Sequence, residues 1–170
     1  MQREQLKILL LQIRDDHKVR AEELESFARY SQLDVHQIDV LNVFDTPSFD
    51  SSVLEGYDAL YVGGASEANV LEPKIYPFVN DCISLIKFAG DTGIPTFASC
   101  FGFQLAVLAF GGEILSKDED YEMGSIPITL TNLATIDPVF SGTPDKFPAL
   151  SIHRQYALEL PAGLDLLAYT

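Results

Sequence analysis

Hydrophobic and polar positions divide this chain into short blocks of changing period. Leu6 to Ile13 (LKILLLQI) is almost continuously apolar, the pattern of a central parallel strand covered on both faces. Lys18 to Gln32 spaces Val19, Leu24, Phe27, Ala28 and Tyr30 among charges, which predicts an amphipathic helix. Val35 to Leu41 alternates as a half-buried strand that would put His36 and Gln37 on opposite faces, and Tyr57 to Val62 is a third strand. Tyr76 to Ala89 predicts a helix closed by Gly90, with Cys82 on its apolar face beside Phe78, Val79, Leu85 and Ile86. Ile94 to Ala98 then predicts a buried parallel strand, and Phe103 to Phe110 a buried helix stopped by Gly111 and Gly112.

After Gly112 the character shifts. Ser116 to Glu122 is an acidic loop, followed by short strand-like pieces at Gly124 to Leu130, Leu150 to His153 and Leu164 to Tyr169. Pro127, Pro138, Pro144, Pro148 and Pro161 punctuate them and favour edge strands and turns. The order of elements predicts an α/β fold: a mostly parallel central sheet with helices on both faces, extended in the second half by a small antiparallel part.

A length of 170 residues with 47% hydrophobic content fits one domain spanning 1–170. The net charge of −14 disfavours nucleic acid, since no basic patch is available to displace counterions from a phosphate backbone. Apolar runs fall short of a membrane span, and the N-terminal residues lack a secretory hydrophobic region, so the expected location is the cytoplasm. The two cysteines and three histidines form no metal-ligand spacing, so no metal and no cofactor is expected.

Candidate chemistry concentrates at Cys100. A strand that passes directly into a helix makes a sharp, strained turn, with its apical side chain projecting over the sheet edge. Ala98 and Gly102, two residues to either side, are small enough for strand and helix to approach closely. Unpaired N–H groups in the first helical turn would favour the thiolate, making Cys100 a nucleophile rather than a small core residue. Cys82 reads as core. Gly63-Gly64-Ala65-Ser66 follows the third strand, and ligands of open parallel sheets bind outside the carboxyl ends of strands, so this turn should lie beside the Cys100 turn. Asp15 and Asp16 read as dipole-stabilising acids at a helix start, and His36 as structural or surface.

The spacing Ala98, Cys100, Gly102, Gln104 resembles the G-x-C-x-G-x-Q nucleophile motif of the class I, triad-type glutamine amidotransferase domain, with alanine at the first glycine position. Glu122-Met123-Gly124 is similar to that family's E-[IM]-G segment, and Asp137-Pro138-Val139-Phe140 to its D-P-[LV]-F turn. Ser151-Ile152-His153 with Leu160-Pro161-Ala162-Gly163 resembles the stretch flanking the glutamine pocket in members like GMP synthase, although Gln155 stands where those members often carry aspartate.

The resemblance implies a flavodoxin-like fold and glutamine hydrolysis through a Cys100 γ-glutamyl thioester. It implies oxyanion-hole N–H groups at Gly64 and Phe101, and substrate contacts at Gly63, Gly102, Gln104, His153, Arg154 and Gln155. Ammonia would pass to a separate synthetase subunit, and a homo-oligomer stays open. The family's later histidine–proline–glutamate segment does not occur here, which predicts a domain shortened at its C-terminal side and inactive by itself. Read from the residues alone, His153 would serve as base for Cys100, with Glu122 or Glu159 orienting it. Also open are a γ-glutamyl hydrolase, a catalytically silent regulatory or binding module on the same scaffold, and a cysteine enzyme of the related PfpI type, against which Gln104 and Glu122–Gly124 speak.

Overall fold

A computed structural model describes residues 2–117, 119 and 121–170. The chain forms two compact units, Met1–Ala109 and Phe110–Thr170.

The first unit is built on a four-stranded parallel sheet. Its strands are β1 (Ile8–Gln12), β2 (Ile38–Asn42), β3 (Ala59–Val62) and β4 (Thr96–Ala98), in the spatial order β2-β1-β3-β4. β1 is buried along its whole length, as its unbroken apolar run requires of a strand paired on both sides. Helix α1 (His17–Ser31) covers one face, where Leu24, Phe27 and Ala28 pack on Ile8, Leu10, Ile38 and Tyr61. Helices α2 (Phe78–Thr92) and α3 (Phe101–Ala109) belong to the other face; Gly102 of α3 lies against Val62.

Several boundaries differ from the sequence pattern, each for a local reason. Asp16 caps α1, its carboxylate accepting from the Lys18 and Val19 N–H groups, which accounts for one acid of the Asp15–Asp16 pair. Val35–Gln37 is a short 3-10 helix rather than the start of a strand. Asp34 and Gln37 form a reciprocal capping box there, and that local bonding outcompetes the alternating pattern. Helix α2 runs through Gly90 to Thr92 and is closed by Gly93, because Gly93 adopts the left-handed conformation (φ 73°) that ends a helix. β4 is less buried than its composition suggests. Among the described residues it pairs only with β3, and Phe97 is 56% exposed.

One polar pair interrupts the apolar sheet. Gln12 and Asn42 are register partners at the ends of β1 and β2, both nearly buried. Asn42 donates to Gln12 Oε1 (3.1 Å) and to the Arg14 carbonyl (2.9 Å), Gln12 donates to the Arg20 carbonyl (2.9 Å), and Asn42 Oδ1 accepts from the Phe44 N–H.

The second unit is antiparallel. β5 (Ile114–Ser116) pairs with β8 (Gln155–Ala157), while β6 (Glu122–Leu130) lies between β7 (Lys146–His153) and β9 (Ala168–Tyr169). Of the expected acidic loop, Ser116 ends β5 and Glu122 begins β6, and Asp118 and Asp120 lie outside the described residues. The expected strand at Leu164 to Tyr169 shortens to its last full pair, Ala168–Tyr169. Pro127 and Pro148 sit within strands as direct partners rather than at turns. Among the described residues β9 reaches only Thr129 and Leu130, and no third strand asks Pro127 for an N–H.

Candidate active site

Cys100 lies between β4 and α3, separated from the strand only by Ser99, and its backbone φ is 51°. Left-handed backbone at a non-glycine residue is strained, and here two hydrogen bonds impose it. Ser99 N–H is held by the Val62 carbonyl (3.0 Å), and Gln104 N–H donates back to the Cys100 carbonyl (3.1 Å). Cys100 is exposed, whereas Cys82 is fully buried and its thiol is pushed far above its ordinary range by burial, with the Asp81 charge adding to the effect.

The Gly63–Gly64 turn is joined to this elbow through the backbone. Gly102 N–H donates to both the Ser99 carbonyl (2.8 Å) and the Gly63 carbonyl (3.2 Å), while Gly63 N–H is tied to the Leu11 carbonyl (3.0 Å). A Cβ on Gly64 would lie 3.6 Å from the Cys100 Cβ. The two loops are therefore neighbours, as their positions after adjacent strands predict. Among the described residues, neither the Gly64 N–H nor the Phe101 N–H has a hydrogen-bond acceptor. Two unpaired donors thus lie beside a strained, exposed cysteine. Gln104, in the first turns of α3, is only 6% exposed, and its side-chain amide makes no hydrogen bond among the described residues.

The remaining sequence candidates lie in the second unit. His153 Nε2 meets Glu122 Oε2 at 3.0 Å, and Ser151 Oγ donates to the same oxygen at 3.0 Å. Glu122 and His153 are direct cross-strand partners, so this pair also fastens β6 to β7. The Glu122 carboxyl is held below its ordinary range chiefly by a hydrogen bond from the Thr170 side chain; burial opposes this, and Ser151 and the neighbouring His153 add to the lowering. Arg154 stacks its guanidinium 4.9 Å from the Tyr121 ring centre, and Gln155 opens β8 opposite Ser116.

Two residues of the Cys100 site escape a reading of the sequence. Arg14 follows β1, and its Nη2 lies 3.0 Å from where a Gly64 Cβ would be. Glu23, on α1, receives Arg14 Nε at 2.9 Å. Their signal was the rule that loops after parallel strands converge, applied to β1 as well as to β3 and β4. A separate open cleft of about 580 Å³ runs along β2, lined by residues including Arg20, Asp39, Asn42 and Tyr57, and shares no lining residue with the Cys100 and glycine loops. Among the described residues, no group of His, Cys, Asp and Glu could hold a metal ion, and no helix is long and apolar enough to cross a membrane.

Residues 29–170 match the model of the glutamine amidotransferase class-I family. The chain belongs to that family. This class-I domain is 29% identical over 148 residues to the GMP synthase [glutamine-hydrolyzing] of Tropheryma whipplei (strain Twist), an alignment covering 83% of this chain and 26% of that protein. It is 26% identical over 95 residues to a glutamine-hydrolyzing GMP synthase subunit of Methanocaldococcus jannaschii, covering 55% of this chain and 48% of the relative. The chain thus spans about a quarter of the first of these relatives and about half of the second. In fold, it superimposes on a glutamine amidotransferase from Thermotoga maritima with a TM-score of 0.75 at 18% identity, covering 96% of this chain and 66% of that one. The class-I amidotransferase fold, with its mostly parallel sheet, helices and added antiparallel strands, is therefore the fold of this chain.

Proposed function

We propose that this domain hydrolyses the side-chain amide of glutamine with Cys100 as nucleophile. The observation that carries the reading is the juxtaposition of the exposed Cys100, held on a left-handed turn, with the unpaired N–H groups of Gly64 and Phe101. In the first step the Cys100 sulfur forms a bond to the amide carbon, and the carbonyl electron pair moves to oxygen. That oxyanion is received by the Gly64 and Phe101 N–H groups, where loss of one donor typically costs about 10²–10³ in rate. The oxyanion's electron pair then re-forms the carbonyl, the carbon–nitrogen bond breaks, and ammonia departs with the proton that the Cys100 thiol gave up. Water adds to the resulting γ-glutamyl thioester, releasing glutamate and restoring the thiol. Gly63 and Gly102 let the glycine turn and the first turn of α3 pack closely, since a Cβ there would meet Glu23 or Val62, and the unpartnered amide of Gln104 supplies a polar contact for substrate. His153, Arg154 and Gln155 are the further substrate contacts that the family resemblance assigns. The ammonia passes to a synthetase carried on a separate chain, by analogy with the M. jannaschii relative, which is named as one subunit of a GMP synthase.

The test is glutamine protection of Cys100. Limiting iodoacetamide should label Cys100 and not Cys82, and millimolar glutamine should slow that labelling while asparagine does not. Labelling that glutamine leaves untouched would sink the reading in favour of a silent module, and protection by γ-glutamyl peptides but not by glutamine would favour a γ-glutamyl hydrolase.

A further inference from the structure

We propose that Arg14 is a positioning residue for one oxyanion donor: tied between Glu23 and Ser66, it braces the Gly63–Gly64 peptide and keeps the Gly64 N–H beside Cys100. The inference deepens the glutaminase reading above and rests on it. Two glycines in a row have little conformational preference of their own, so the direction of an N–H between them has to be imposed from outside. A peptide plane is fixed when both of its Cα atoms and one point off their axis are held. Gly63 is held by its N–H on the Leu11 carbonyl (3.0 Å), and the off-axis point by the Gly63 carbonyl, which accepts from the Gly102 N–H (3.2 Å). In a trans peptide that carbonyl and the Gly64 N–H point opposite ways, so the same bond sets the donor's direction. Gly64 itself makes no hydrogen bond among the described residues, and the second end of the axis therefore needs another support.

The ion pair behind the turn supplies it. Arg14 Nε donates to Glu23 Oε1 at 2.9 Å and Nη1 to Ser66 Oγ at 2.9 Å, so the planar guanidinium is pinned to α1 on one side and to the far end of the glycine turn on the other. Its Nη2 lies 3.0 Å from the point where Gly64 would carry a Cβ, and both Glu23 oxygens lie 2.8 Å from the corresponding point of Gly63. Each glycine is thus backed, in the place of its missing side chain, by one member of the pair. The Cys100 Cβ lies 3.6 Å from the Gly64 point, so a shift of Gly64 is a shift of the donor relative to the nucleophile. The brace is itself well anchored: the Glu23 side chain is 9% exposed, its Oε2 is buried without a hydrogen-bond partner, and Arg14 balances its charge.

The experiment compares two reagents at Cys100, each followed by mass. With p-nitrophenyl acetate the sulfur bonds to the ester carbon, an oxyanion forms and collapses, p-nitrophenolate leaves with the carbon–oxygen pair, and the thiol proton passes to buffer. Iodoacetamide is displaced at a saturated carbon and forms no oxyanion. The ratio of the two rates, referred to the same ratio for glutathione, reads oxyanion stabilisation and cancels thiolate availability. The parent ratio should exceed that of glutathione. Arg14→Gln should lower it by about 10²-fold, the cost of misplacing a group by about 1 Å. Arg14→Lys should lower it as well, since lysine keeps the cation without the rigid fork that spans two partners; an R14K protein with the parent ratio would mean that charge alone suffices, and overturns the inference. Should the Arg14 variants melt well below the parent, the exposed Ser66 decides: Ser66→Ala should lower the ratio and Ser66→Thr, which keeps the hydroxyl, should preserve it, whereas S66A at the parent ratio overturns the brace. A parent ratio no higher than that of glutathione overturns the oxyanion hole and the glutaminase reading with it. A raised parent ratio that a folded R14Q protein retains overturns this inference alone.

Discussion

Gly102 and Val62 meet so closely that a Cβ at position 102 would lie 2.8 Å from Val62 Cγ1 and 2.9 Å from the Val62 carbonyl oxygen. That carbonyl is already engaged by the Ser99 N–H, so the strand cannot retreat without opening the ladder that carries Cys100. Gly102→Ala should therefore destabilise the domain by about 1–3 kcal/mol, the usual cost of overpacking, and Gly102→Val by more. Thermal melts check this, and an alanine variant that melts with the parent would show that the elbow has slack.

Cys100 and Cys82 should differ sharply in reactivity, since one residue is exposed and the other is buried with its thiol held protonated. With limiting iodoacetamide at neutral pH, mass mapping should find a single label on Cys100. Label on Cys82 in the native protein would mean that α2 opens readily.

The left-handed backbone at Cys100 separates two substitutions that remove the same thiol. Cys100→Gly should be more stable than Cys100→Ala by about 1 kcal/mol, because glycine adopts φ 51° without the clash that a Cβ brings. Both should lose iodoacetamide labelling at that position. Equal melting temperatures for the pair would mean that the turn relaxes once the sulfur is gone.

Glu122 gives the second unit a dependence on acid. Its carboxyl titrates below its ordinary range in the folded chain, so the stabilisation from the charged form is complete above that range and is lost as pH falls through the lowered value. Between pH 6 and about pH 3, the parent should lose more stability than Glu122→Gln, which has no charge to neutralise. Parallel slopes for the two proteins would show that the Thr170, Ser151 and His153 contacts contribute nothing to folding.

Most of the parallel sheet was legible because its signal is local. The apolar run from Ile8 to Leu11 and the abrupt switch of period at Cys100 needed no knowledge of partners. Where two local signals competed, the pattern misled: Asp34 and Gln37 close a capping box inside an apparent strand, and of Gly90 and Gly93 only the second takes the left-handed conformation that ends α2. Cys100 and the glycine turn were within reach of the sequence, since each follows a strand directly. Arg14 was open to the same rule applied to β1, but its pairing with Glu23 was not, because nothing in the spacing of a loop arginine and a mid-helix glutamate states that they meet across the end of β1.

The Gln12–Asn42 pair bears on how the strands find their alignment. Ile8 to Leu11 is apolar at every position, so hydrophobic contact along β1 does not by itself single out one offset for β2. A slide by one residue would strand two buried amides, at about 1–3 kcal/mol for each unsatisfied group, so the misaligned forms are penalised while the observed one is not. Because Asn42 also holds the Arg14 carbonyl, the same choice of alignment sets where the loop after β1 begins. The vernier that sorts out the sheet thus doubles as the fixture for the cation beside Cys100.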